Sequence, residues 1–459
     1  MKILQIAYYY PPMGGAGVQR ALKFSKYLPI YGVKPVILAC DDPCYVRDDT
    51  FLQEIPREID VHRIKFTPWM SKMATRRRSD KNGAPTSSLT HLPRICTSIQ
   101  KRLREIILLS ARSLQMPDDA AAWAHQALKK ARQIIRESAE NGEPIELIMS
   151  SAPPFSTHML GERLALEFNL PWIIDFRDLW TDNPSYDLPF WRKILDRRTE
   201  ERWLARATGV ITVTPTWHRM LASRVPPGVL TAFIPNGYDE ADFSTQSTLA
   251  QKNNDFTIVH TGTFYGPRDP HALLEGLKRY LTNPQKPSHN LRVRLIGNIG
   301  ARFLQAFQVF EQQFPGIVEI IPYVPHAHAL AELDSADALL LVVGGNGRGD
   351  AVRGWLPGKI FEYLRVGKPI LMLGDPDGDA AQLIRRHSRG LVIRSEDVDG
   401  LTNAFHTLAS SRLKDPAERN DEIQPVTTFE RRELSRQLAN FIRECQQRHV
   451  QTHRRKKYG

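Results

Sequence analysis

The chain has 459 residues, 42% of them hydrophobic and 24% charged, with a formal net charge of +12 at pH 7. That length exceeds one ordinary core, and the composition is that of a folded soluble protein rather than a disordered or fibrous one, so two or three domains are expected. No run approaches the roughly 18 to 20 apolar residues of a membrane span, and the apolar start Met1–Ala7 meets Pro11 and Pro12 without a cleavage signal, so neither a spanning helix nor a signal peptide is expected.

The strand Lys2–Ala7 opens the chain and leads into a loop, Tyr10-Pro-Pro-Met-Gly-Gly-Ala-Gly17, before a helix over Val18–Leu28 and a second strand over Pro35–Ala39. This is a β-loop-α-β unit of the Rossmann type. Gly14, Gly15 and Gly17 let backbone approach a ligand closely, and the helix start favours an anion. The same glycines would equally serve a tight turn that packs helix on strand.

The positive charge is concentrated. Between Lys72 and Arg112, ten lysines and arginines stand against Asp80 and Glu105 alone. Residues from about 65 to 93 read as a polar, turn-rich loop. Ile95, Ile99, Leu103, Ile106, Ile107 and Leu114 then share one helical face while Lys101, Arg102 and Arg104 occupy others. A basic amphipathic helix of this kind suits an anionic membrane surface, although ordinary helices packed on a domain carry the same pattern. Nucleic acid is not expected, because no recognition motif or interleaved aromatic residue accompanies the charge.

Pro117 opens a helix to Ile135, Glu146–Ser151 is a strand leading into Pro153-Pro-Phe-Ser-Thr-His158, and Leu170–Asp175 is a strand ending in Phe176-Arg-Asp-Leu-Trp180. Charges at a strand's carboxyl end lie where an open α/β sheet builds its site. Asp178 could orient an acceptor hydroxyl or take its proton, and Arg177 could hold phosphate or pair with an acid, Asp175 being one pleat away. His158 reads as a core or helix-start residue. A charged helix over Arg192–Arg206, a strand over Gly209–Thr214 and the segment Thr231–Gly237 complete the first half.

The pattern then restarts. Phe256–Thr261 is a strand, Gly262–Arg268 its loop and Asp269–Leu281 a helix, followed by strands over Leu291–Gly297, Val318–Ile321 and Ala338–Val343. The turn around Pro357-Gly358 opens a short helix carrying Lys359 and Glu362, and Gly367-Lys-Pro leads to the strand Ile370–Leu373. Unpaired amides and the dipole at that helix start favour a phosphate beside Lys359, and Glu362, one turn on, could accept hydrogen bonds from sugar hydroxyls. A final helix spans Phe429–Arg448. Cys40, Cys44, Cys96 and Cys445 lack metal-site spacing and read as free thiols.

The opening glycine loop, Ser150-Ser-Ala-Pro-Pro154, Asp175-Phe-Arg-Asp-Leu-Trp180 and the segment from Arg353 to Leu371 resemble, in that order, segments of the retaining GT-B glycosyltransferases of family 4, in its polysaccharide-assembly branch. The resemblance implies an α/β GT-B fold of two Rossmann-like, doubly wound domains facing across a cleft. Residues 1–237 would form the acceptor domain with a basic insertion at about 65–116, residues 238–428 the nucleotide-sugar domain, and 429–459 a helix returning to the first domain. It further implies that Gly262 and Arg268 form the donor-diphosphate loop, that Lys359 and Arg268 neutralise the leaving diphosphate, and that Glu362 holds the ribose. The chain departs from the family pattern at three places: Gly354 where an acid is common, Arg177 where many members have histidine, and Thr263 where an arginine is common.

The expected activity is sugar transfer from a nucleoside-diphosphate sugar to a surface-polysaccharide or polyprenyl-linked glycan, without metal or other cofactor, in the cytoplasm or peripherally on the inner membrane. Two rivals are a nucleotide-sugar epimerase of the same architecture and a non-catalytic scaffold. A nicotinamide dehydrogenase fits less well, since the first loop lacks the Gly-x-Gly-x-x-Gly spacing.

Overall fold

The computed structural model describes residues 1–68, 113–243, 255–264, 269–287, 290–344, 349–411 and 426–458. Arg268, Cys96 and the basic stretch from Lys72 to Arg112 lie outside the described residues. Two compact units divide the chain: Met1–Val213 with His218–Ile234 and Ser435–Gly459, and Thr214–Trp217 with Pro235–Leu434.

The first unit holds a seven-stranded sheet of β1 (Lys2–Ala7), β2 (Lys34–Asp41), β3 (Val61–Lys65), β4 (Ile145–Ala152), β5 (Trp172–Phe176), β6 (Gly209–Thr212) and β7 (Leu230–Phe233). The strands are all parallel, in the order β3-β2-β1-β4-β5-β6-β7. β1 lies in its interior beside the central β4, with Leu4 opposite Val36 on one side and Ile148 on the other, and Ile3, Leu4 and Ile6 have no exposed surface. A strand covered by helices on both faces must be apolar on both, which is why β1 and β4 read as continuous hydrophobic runs. The order reverses between β1 and β4, so the loops that follow these two strands diverge and leave a crevice at their carboxyl ends.

The second unit holds six parallel strands in the order β10-β9-β8-β11-β12-β13, with β8 (Phe256–Thr261), β9 (Leu291–Ile296), β10 (Val318–Ile321), β11 (Ala338–Val342), β12 (Ile370–Leu373) and β13 (Gly390–Ile393). Its two cores follow from the pleat. Ile258, Leu340 and Leu371 pack with Leu277, Phe307 and Phe405 on one face, while Val259, Leu339, Leu341 and Met372 pack with Leu333, Ile360 and Ile384 on the other. Neighbouring residues of one strand thus serve opposite helical layers, which makes the sheet doubly wound.

Sequence periodicity locates β1, β8, β10 and β12 to the residue, and the helix Ala121–Glu140 begins four residues later than expected. β3 and β13 give no such signal: β3 is a short edge strand of mixed polar and apolar residues, and β13 is a four-residue edge strand opened by a glycine. The last helix is longer than its pattern suggests, Arg431–Tyr458. From Ser435 it belongs to the first unit, where Arg443 donates to the Tyr31 carbonyl and Gln446 to Glu146. Gly209 permits this packing, since a Cβ there would stand 2.5 Å from Cys445 Sγ. Cys40 and Cys445 are buried free thiols and Cys44 is exposed. Among the described residues no helix is long and apolar enough to cross a membrane.

Candidate functional site

In the second unit, β8 ends at Thr261 and Gly262 turns the chain with φ +103°, a conformation in which a side chain would be strained. Space imposes the same choice. A Cβ on Gly262 would lie 2.9 Å from Lys359 Nζ, so the lysine of the short helix Lys359–Val366 reaches across the bare turn. Its ammonium donates to the Thr261 carbonyl and lies 3.3 Å from His260 Nε2. His260 Nδ1 is 2.9 Å from the Leu340 carbonyl, which can only accept, so Nδ1 carries the proton and Nε2 accepts from Lys359. Beneath them Tyr363, its phenol pushed up to about 12 by burial, accepts from Thr261 N–H at 3.1 Å. Strand end, glycine turn and lysine are thereby fixed to one another.

Glu362 follows Lys359 by one turn and is half-buried. It accepts from His326 Nε2 at 2.9 Å, and His326 Nδ1 faces Asp242 at 3.9 Å. The sequence offers no periodic or motif signal for His326, which enters from the first residue of the helix His326–Ser335. Gly262, Lys359 and Glu362 therefore share one region at the carboxyl edge of β8 and β11, where a half-buried cation and acid are held by partners that a ligand could replace.

The glycine at 354 has a steric cause. A Cβ there would stand 2.3 Å from Trp217 Cδ1 and 2.4 Å from its Nε1. The indole is 2% exposed and pinned, with Nε1 donating to the Ala351 carbonyl at 2.9 Å. The neighbouring Thr216 donates from N–H and Oγ1 to Asp379 at 3.0 and 2.7 Å, holding residues 214–217 in the second unit. An acid cannot stand at 354 while Trp217 keeps this place.

In the first unit the glycines of the opening loop have distinct tasks. Gly15 has φ +82°, Gly14 lies so close to Asp48 that a Cβ would be 3.1 Å from that residue's own, and Gly17 offers its carbonyl to Arg177. Arg177 is engaged with backbone: its guanidinium donates to the carbonyls of Gly17, Ala152 and Pro153. The pairing expected between Arg177 and Asp175 is not formed. Asp175 instead takes Arg20, at 3.0 Å from Nε and from Nη2, and Ser151 Oγ at 2.8 Å. Arg20 is nearer because it projects from the buried face of the helix Ala16–Tyr27 directly onto the strand end, and both partners are almost wholly buried. Arg177 thus ties the glycine loop to the Pro153-Pro154 loop.

Asp178 differs from these charges. It is half-buried, with no hydrogen bond to its carboxylate among the described residues, and burial pushes its carboxyl up to about 6 against the opposing pull of Arg177. His158 is a core residue, as its sequence context suggests. It accepts or donates at Ser150 Oγ at 2.8 Å, is ringed by Phe155, Phe176 and Trp203, and burial pulls its imidazole down to about 3, so it stays neutral.

Beside the same strand ends lies a cavity of 380 Å³ that sequence reading missed, lined by Gln115, Asp118, Phe155, Asn183 and Tyr186 among others. Phe155 is the half-buried end ring of a stack, 4.9 Å from Trp180, which is itself 5.0 Å from Trp203. The lining includes Asp118, Asp119 and Asp187 and, among the described residues, no lysine or arginine. Asp118 caps the helix Ser156–Phe168 through Ser156 N–H at 3.1 Å, and burial raises its carboxyl to about 6. Gln115 Oε1 is buried there without a hydrogen-bond partner among the described residues. Such a lining repels phosphate and suits a neutral or cationic polyhydroxyl group, with an aromatic edge and amides to meet it.

Residues 56–237 match the model of the glycosyl transferase 4-like domain. A search of curated proteins gave no match. Among solved structures the chain is similar in fold to the N-terminal domain of trehalose-6-phosphate phosphatase from Candida albicans (TM-score 0.62, 11% identity, 97% of each chain covered). It is similar also to Anabaena HepE in complex with UDP (0.54, 14%, 98% of this chain and 99% of that one) and to sucrose-phosphate synthase from Thermosynechococcus elongatus (0.52, 15%, 99% and 98%). At these identities the likeness establishes a shared fold over the full length.

Proposed function

We propose that the chain is a GT-B glycosyltransferase of the family 4 type, a reading supported by the match of residues 56–237 to the glycosyl transferase 4-like domain, and that it transfers a sugar from a nucleoside-diphosphate sugar to a surface-polysaccharide or lipid-linked glycan, with retention of anomeric configuration. The observation that carries the reading is Lys359 lying across the side-chain-free turn at Gly262, at the carboxyl edge of a doubly wound sheet. There an ammonium and open backbone meet, as a diphosphate requires.

Negative charge grows on the departing diphosphate, and Lys359 compensates it; Arg268, outside the described residues, would add a second cation. Glu362 accepts from the ribose hydroxyls once His326 gives way. The first unit supplies the acceptor side: Asp178, with its carboxyl near 6, orients the attacking hydroxyl or takes its proton, and Arg177 with the Arg20–Asp175 pair keeps the surrounding loops in register. The cavity at Phe155 is the place for an acceptor sugar ring. Such chemistry needs positioning and charge compensation more than covalent work by the protein.

The test is incubation of the full chain with single nucleotide sugars and a short-chain lipid-linked glycan, with products read by mass spectrometry and the anomeric configuration by NMR. The reading expects one donor to yield an acceptor one sugar heavier. A changed sugar without acceptor would mean an epimerase, and no turnover with any donor, together with no nucleotide binding, would mean a scaffold.

A further inference from the structure

Thirteen large hydrophobic side chains are exposed among the described residues, and six of them lie in two short segments: Leu114 and Met116, then Phe190, Trp191, Ile194 and Leu195. Phe190 and Leu114 are each 79% exposed. The two segments are fastened together. Arg192, fully buried, is held by Asp196 at 2.8 Å and donates to the carbonyls of Ser113 at 2.8 Å and Pro117 at 2.7 Å, so the loop carrying Leu114 and Met116 is bound against the first turn of the helix Phe190–Arg206. On that helix, positions 190, 191, 194 and 195 fall on one side, and Arg198 continues the same side a turn later. A folded protein rarely spends a buried arginine on presenting apolar side chains to water, and a patch of this kind marks a docking face.

We infer that this face inserts shallowly into an anionic lipid bilayer. Three observations choose a bilayer over a protein partner. The patch combines tryptophan and phenylalanine with leucine, isoleucine and methionine, the mixture suited to the boundary between headgroups and acyl chains. Exposed Arg198 stands on the same side of the helix and exposed Lys193 flanks it, so that Arg198 can reach headgroup phosphates as the apolar groups enter. The sequence entering Ser113 carries the chain's strongest concentration of positive charge, from Lys72 to Arg112. The acids nearby have other partners or aim elsewhere: Asp196 is buried on Arg192 and Tyr186, Glu200 on Arg224 and Thr181, exposed Glu201 further along the helix pairs with Arg197 at 3.1 Å, and Asp187 lines the cavity.

The arrangement deepens the acceptor side of the proposed reaction, and rests on that reading only for its purpose. Gln115, Pro117 and Leu188 line the cavity, and each lies within two residues of an exposed apolar side chain. A glycan attached to a lipid could then present its sugar to the cavity while the lipid stays in the bilayer.

Flotation of the full chain with vesicles of neutral phosphatidylcholine, and of the same lipid containing phosphatidylglycerol, tests the docking without any nucleotide sugar. The wild type is expected to float with the anionic vesicles. Phe190→Glu with Trp191→Glu should lose binding by about tenfold or more, while Arg198→Glu should weaken it less and only on anionic vesicles. Both variants alter exposed residues and should keep the wild-type melting temperature and any nucleotide binding. Unchanged flotation of the double variant, equal binding to neutral vesicles, or a wild-type dimer that the double variant dissolves in the absence of lipid would each overturn the inference.

Discussion

The carboxyl ends of the two sheets carry similar residue types put to different use. In the first unit Arg20, Asp175 and Arg177 are satisfied internally, by one another's neighbours and by backbone carbonyls, and only Asp178 is left without a hydrogen-bond partner among the described residues. In the second unit Lys359 and Glu362 are half-buried and rest on partners that a ligand can replace, a carbonyl with a neutral histidine and His326. A charge at a strand end is therefore a scaffold when its partners are built in and a binding group when they are provisional. For Arg20 and Asp175 burial decides, because a fully buried charge must be paired before any ligand arrives.

The comparison breaks most visibly if the internal charges are removed. Asp175→Asn strands Arg20 in the core and should destabilise the protein by about 3–5 kcal/mol, measured by chemical denaturation; a loss below that of an ordinary surface substitution would mean that Asp175 is not structural. Lys359→Ala should leave stability nearly unchanged and lower transfer by about 10²–10³-fold, read in a steady-state assay with a saturating acceptor. Gly354→Glu, which introduces the acid that the sequence resemblance leads one to expect there, should cost about 1–3 kcal/mol by overpacking against Trp217. The companion Gly354→Glu/Trp217→Ala should recover part of that loss if the clash is its cause.

The smallest effect belongs to Asp178 and its sign is fixed. Its folded carboxyl is raised to about 6, above the ordinary carboxylate value, so its contribution to stability is complete below about pH 4 and is lost as pH rises through about 6. Asp178→Asn should therefore melt higher than wild type at pH 8 and lose that advantage at pH 4. If Asp178 serves the acceptor, wild-type turnover falls as pH falls through about 6. A pH-independent difference in melting temperature would show that its carboxylate is not held in a desolvating place.

Strand cores were legible because continuous apolar runs can only be buried on both faces, as β8 and β12 are. Lys359 was legible from the Gly/Pro turn that opens its helix, whereas Gly262 was marked only by the resemblance of its loop to the family's donor-diphosphate loop. Long-range partners were not. Nothing near Asp175 in sequence points to Arg20, 155 positions away, rather than Arg177, and nothing near Glu362 points to His326. The Trp217 ring that excludes a side chain at 354 lies 137 residues earlier, so the missing acid reads as a departure in sequence and as packing in the structure. The cavity at Phe155 is assembled from three separated segments, none of which carries a motif.

The most direct measurement is calorimetric titration of UDP, GDP, ADP and CDP into the wild type and Lys359→Ala. Selective binding of one nucleotide by the wild type, lost or weakened at least tenfold in the variant, is the predicted result. Equal affinity of the two proteins for that nucleotide, or no binding of any nucleotide by a folded wild type, would contradict a donor site at Lys359.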